Sequence, residues 1–88
     1  MIKVVKIEQL GEYRLCFNFD DDSLGEYDFS ALLSENGPMI EPLRDPAYFS
    51  RVFLEHGAPT WPNGFDVSPS WLHRELAVAR ALKRQASV

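Results

Sequence analysis

Cysteine, histidine and long apolar runs are what this 88-residue chain has least of. Its one cysteine, Cys16, rules out an internal disulfide, and small exported domains ordinarily lean on several, so a reducing cytoplasm is the expected setting. His56 and His73 are the only imidazoles, and neither sits in a motif that supplies a nucleophile or further metal ligands. No stretch approaches the roughly 18 apolar residues of a membrane span. The first ten residues interleave lysines with apolar side chains instead of building an apolar signal segment, so neither insertion nor export is expected. Cations are also in the minority, nine Lys and Arg against thirteen Asp and Glu, and a net charge of −4 gives no general attraction to nucleic acid or anionic lipid.

What is present is ordinary for a folded chain, 45% hydrophobic and 25% charged, and its length makes residues 1–88 one domain. A chain this short buries only about 60–65% of its unfolded surface, so a homodimer is expected to supplement a marginal core. The charge is unevenly spread. Residues 1–68 carry five basic residues against twelve acids, a net −7, whereas residues 69–88 carry Arg74, Arg80, Lys83 and Arg84 against Glu75, a net +3.

Periodicity predicts an α+β fold. Residues 2–8 are rich in β-branched side chains, and Val4-Val5 breaks their alternation as a bulge does. Tyr13, Leu15, Phe17 and Phe19 alternate strictly, which is the clearest strand signal in the chain, with Cys16 on the opposite face. A turn at Asp20-Asp21-Asp22-Ser23 leads to a third strand over residues 24–29, completing an antiparallel three-strand meander. Ser30 reads as the cap of a single helical turn, Asp45-Pro46 as the start of a short helix, and residues 52–61 around His56-Gly57 as a second, short hairpin. Ser68-Pro69 opens the one long helix, expected over residues 69–86 with Leu72, Leu76, Ala79, Leu82 and Ala86 on its apolar face.

Three runs of residues, taken together, look familiar: Phe19-Asp20 with Tyr27-Asp28-Phe29-Ser30-Ala31-Leu32-Leu33, then Pro42-Leu43-Arg44-Asp45-Pro46-Ala47-Tyr48-Phe49, then Trp61-Pro62-Asn63-Gly64-Phe65-Asp66 before Ser68-Pro69. Over about residues 2–74 the chain resembles the bacterial domain of unknown function family 2442. The resemblance implies an α+β fold without an established activity, sometimes fused to a repressor-type helix-turn-helix or encoded beside a second small protein in a toxin–antitoxin-like pair. Two departures stand out: Asp21-Asp22-Ser23 replaces the family's usual Asp-Gly turn, and the final helix is expected to run longer.

The acidic run Asp20, Asp21, Asp22, Glu26 and Asp28 invites a calcium reading, but Leu24 and Ala31 fall where a calcium loop needs oxygen ligands. A solvated hairpin tip is the expectation, and no metal or cofactor is implied. Cys16 lacks a partner or helix N-terminus to activate it. Trp61 and Trp71 are either core anchors or interface residues, Trp71 at the edge of the helix stripe being the better interface candidate. Arg80, Lys83 and Arg84 read as cations complementing a helix C-terminus or as a contact to an acidic surface. Trp61, Trp71, Arg80, Lys83 and Arg84 are therefore the candidate partner-binding residues. The expected function is a non-catalytic protein-interaction domain with a protein partner and no nucleic-acid or membrane role. A DNA-associated regulator using the basic helix, and a ligand-binding module or enzyme with a pocket near Asp66, His56 or His73, are the alternatives.

Overall fold

A computed structural model describes residues 1–85. Strands β1 (Val4–Gln9), β2 (Arg14–Phe19) and β3 (Ser23–Asp28) form the expected antiparallel meander. Its register follows the sequence pattern: Leu15, Phe17 and Phe19 are buried, while Cys16 lies half-buried on the other face. Val5 is the bulged residue, left without a partner where the register shifts between Val4 and Lys6, and it points to solvent at 58% exposure.

The β2–β3 turn closes without an Asp-Gly pair. Asp22 adopts φ 68° and its N–H donates to the Phe19 carbonyl (3.2 Å), so an aspartate takes the left-handed position usually given to glycine. Asp20 Oδ1 accepts from the Lys3 N–H (3.0 Å), and Asp21 Oδ1 accepts from the N–H and hydroxyl of Ser23 (3.0 and 2.5 Å). Asp20 and Asp21 build the turn through their side-chain oxygens and Asp22 through its backbone.

After β3 the chain makes a single helical turn, α1 (Ser30–Leu33), where the expected serine cap is absent: Phe29 occupies the cap position, and Ser30 instead donates to Asp28 through its N–H and hydroxyl (2.9 and 2.6 Å). A 3₁₀ turn (Glu41–Arg44) and α2 (Pro46–Phe49) follow, the latter capped by Asp45 as expected. The second hairpin is β4 (Phe53–Glu55) and β5 (Ala58–Thr60), joined by His56 (φ 53°) and Gly57 (φ 81°). Two consecutive positive φ angles match the right-handed twist of the flanking strands. Gly57 also meets β1, accepting from the Val4 N–H (2.9 Å), and a Cβ there would lie 2.8 Å from that of Lys3.

Aromatic side chains form the centre of the core. Phe29, Phe49 and Trp61 stack with ring centroids 5.5 to 6.0 Å apart, and Trp61 donates its indole N–H to the Phe49 carbonyl (2.8 Å). The Trp-Pro-Asn-Gly-Phe run is the loop that holds this indole. Trp61 N–H donates to the Phe65 carbonyl, Gly64 N–H donates to that of Trp61, and Asn63 reaches across to the Met39 carbonyl (3.0 Å). Arg44 closes the irregular stretch by donating to the carbonyls of Leu33 (2.7 Å) and Glu35 (2.6 Å), while its own carbonyl accepts from the Tyr13 hydroxyl.

Ser68 caps the last helix as expected, but α3 (Pro69–Val78) ends eight residues before the predicted boundary. Arg80 turns to φ 55°, Ala81 N–H bonds back to the Leu76 carbonyl (2.8 Å) and Arg80 N–H to that of Ala77 (3.0 Å). This is the paired closure of a Schellman motif, with arginine where glycine would have announced the stop. Leu72 and Leu76 fill the core, Leu82 packs against it from beyond the helix, and Ala79 is exposed. Ala86 lies outside the described residues. The chain then runs back as β6 (Lys83–Arg84) along β3, giving the sheet the order β1-β2-β3-β6.

Candidate interaction edge

The two sides of β3 are unequal, and hydrogen bonding decides how. Phe29 N–H donates to the Tyr13 carbonyl (2.9 Å), so odd-numbered residues of β3 turn their main-chain groups toward β2 and even-numbered residues turn theirs away. On the far side Gln85 N–H reaches the Asp22 carbonyl (2.8 Å) and Leu24 faces Lys83, but pairing with β6 stops there. Among the described residues Glu26 and Asp28, the next two even residues, are paired on the β2 side alone.

β6 leaves the edge because the chain must climb to α3 on the inner face of the sheet. It crosses above Gly25, where a Cβ would stand 3.0 Å from both the Ala81 carbonyl oxygen and Leu76 Cδ1. Glycine at 25 gives the crossing chain its close approach. Where the strands part, a shallow groove of about 210 Å³ opens between Leu24, Gly25, Glu26, Ala81 and Lys83.

Beside the open part of the edge lie two half-buried aromatic rings. Tyr27 packs edge-on against Trp71 with centroids 5.7 Å apart, and against Phe29 at 4.9 Å. The Tyr27 hydroxyl is held above its usual pKa by burial first and then by the fields of Glu75, Asp28 and Glu35. On the outer face Glu26 pairs loosely with Arg14 (3.6 Å), both side chains being more than half exposed.

The predicted site residues scatter. Trp71 stands at the edge, on the rim of α3. Trp61 is fully enclosed at 0% exposure with its only polar atom bonded, so it is a core residue and not a partner contact. Arg80, Lys83 and Arg84 do not decorate a helix C-terminus, because the helix stops before them: Arg80 is the closing residue of α3, and Lys83 and Arg84 form an exposed edge strand. The sequence places Glu26 and Asp28 only in the acidic run and Tyr27 only in a strand, because their position at an open edge depends on how much of β3 the late strand β6 covers.

Other titratable groups are tied down. His73 Nε2 lies 2.8 Å from Asp21 Oδ2, its ring edge-on to Phe19 at 5.0 Å; a carboxylate only accepts, so this imidazole nitrogen carries the proton. Ser23 bonds to the same carboxylate, so the hydroxyl and imidazole both point at Asp21 and not at each other, the reverse of a nucleophile–base pair. Ser23 and then His73 hold the Asp21 carboxyl below its usual pKa. The Cys16 thiol is pushed up by burial, then by Glu26 and Glu8 flanking it on neighbouring strands. Glu55, His56 and Asp66 do line a common hollow, but it is open to solvent, and the Thr60 hydroxyl in its wall is bonded to the Ala58 carbonyl (2.9 Å). Among the described residues no three His, Cys, Asp or Glu gather as a metal site, and no helix is long and apolar enough to cross a membrane.

Comparison with known proteins gives one match: the family model described as protein of unknown function (DUF2442) covers residues 4–76, from the start of β1 to the last turn of α3, and stops short of Arg80 and β6. No curated protein and no solved structure matches the chain.

Proposed function

Because the chain belongs to the DUF2442 family, whose function is unknown, we propose that it is a non-catalytic protein-interaction module that takes an extended segment of a partner onto the free edge of β3. The observation that carries this is the half-covered edge: β6 pairs with Ser23 and Leu24, and the outward main-chain groups of Glu26 and Asp28 are left beside the Tyr27–Trp71 pair. Strand addition supplies affinity through main-chain hydrogen bonds and specificity through side chains flanking the edge, and this edge has both. The inverted Ser23–Asp21–His73 geometry supports the non-catalytic part of the reading. A small, separately encoded protein of the toxin–antitoxin type suits such an edge as a partner, and the lone thiol of Cys16 suits a reducing cytoplasm.

Glu26→Pro tests the proposal. The N–H it removes points away from β2, so the variant keeps the internal ladder; Glu26→Gln, which loses the same charge but keeps the N–H, is the control and retains the partner. Co-expressed with the neighbouring gene product in the native host, the parent domain retains its partner and Glu26→Pro loses it, with both proteins melting at similar temperatures. Equal retention by the two overturns the proposal.

A further inference from the structure

Resting on strand addition at β3, we infer that the segment received there is basic: an extended stretch with cations at positions i and i+2 and a long basic side chain between them. The alternation of β3 sets this pattern. Residues of an added strand opposite Glu26 and Asp28 share the outer face with those carboxylates, and the residue between them falls on the inner face, opposite Tyr27 and next to Trp71. A Lys or Arg in that middle position lays its stem on the two rings and its charge toward Glu75, one helical turn on from Trp71. Around the edge stand Glu26, Asp28, Glu35 and Glu75, with Arg14 beside Glu26 and Asp28, Lys83 lining the groove, and Arg44 donating to the carbonyls of Leu33 and Glu35. Arg14 holds Glu26 through a loose, exposed contact that an incoming cation displaces at little cost.

The same charges disfavour a second copy. Two β3 strands meeting antiparallel about a two-fold axis bring Glu26 opposite Glu26 or Asp28 on the same face, and like charges directly opposed are destabilising. The edge is thus built to accept a strand unlike itself.

Titration of the full chain with acetyl-Thr-Val-Arg-Lys-Arg-Val-Thr-amide, followed by the amide resonances of residues 24–28, tests the inference. The basic peptide is expected to bind about tenfold more tightly than its counterpart with three glutamates, and the preference weakens as salt rises. Alternate N-methylation of the basic peptide abolishes binding, and Glu26→Lys with Asp28→Lys reverses the preference. Equal binding of both peptides overturns the basic-strand inference and leaves strand addition standing, as does failure of either peptide to bind while Glu26→Pro still releases the cellular partner. Undiminished binding of the N-methylated peptide reduces the effect to bulk charge and overturns it too. A dimer in sedimentation that Glu26→Pro dissolves assigns the edge to a second copy and overturns both readings.

Discussion

The two edges of the sheet are finished differently. At β1 the chain folds back on itself: the β4–β5 hairpin lies against the strand, Gly57 takes the Val4 N–H, and behind that hairpin the Trp61–Phe65 loop locks an indole into the core. At β3 the cover is two residues long and is made by a segment that has just escaped from a helix through a strained arginine. A hairpin lying along the strand covers the first edge, and a short exposed ladder covers part of the second. Local opening concentrates where buried contacts are few, so the β6 ladder is expected to exchange its amide protons before the β1 edge does.

The largest break in this contrast comes from the closed side. Trp61→Ala empties the centre of the Phe29–Phe49–Trp61 cluster and strands the Phe49 carbonyl, and a loss of about 3–5 kcal/mol is expected in urea unfolding. A loss under about 1 kcal/mol contradicts the assignment of Trp61 as a core anchor.

An intermediate effect of opposite sign is expected on the open side. Arg80→Gly relieves the left-handed backbone at the end of α3 and raises stability by about 1 kcal/mol, a rise of roughly 4–8 °C in melting temperature for a domain this size. It also firms the approach to β6, sharpening protection of the Gln85 amide that bonds to Asp22. An unchanged or lowered melting temperature speaks against strain at Arg80.

The smallest effect is acid sensitivity at the two ends of β3. The Asp21 and Asp28 carboxyls lie below their usual pKa because Ser23 and Ser30 donate to them. Groups with depressed folded-state values stabilise fully above the ordinary carboxylate range near about 4 and lose that contribution as pH falls through the depressed values. Melting temperature is therefore expected to fall from about pH 5 downward, and Asp21→Asn, which cannot titrate, flattens part of that fall. An acid limb identical in parent and variant removes Asp21 from this account.

Much of the closed half was readable residue by residue. Strict alternation at Leu15, Phe17 and Phe19 places three side chains in the core whatever surrounds them, because a pleated strand has only two faces. Asp45-Pro46, Ser68-Pro69 and His56-Gly57 act through local dihedral and capping preferences, and each did locally what those preferences dictate. The α+β class and the Val5 bulge follow from the same kind of local information.

The open half was not readable in that way. Nothing in Val78-Ala79-Arg80-Ala81 signals a helix stop, since arginine is a good helix former and pays a conformational penalty in the left-handed region. Burial of Leu76, Ala81 and Leu82 against Gly25 and the inner face outweighs that penalty, and so the basic residues move from a helix to a strand edge. Local dihedral preference and side-chain period thus determined the meander, the hairpin and the helix starts from sequence alone. Where the last helix ends, which tryptophan is enclosed and how much of β3 is left uncovered were decided by tertiary packing, because each depends on contacts between segments tens of residues apart, whose energies no local pattern contains.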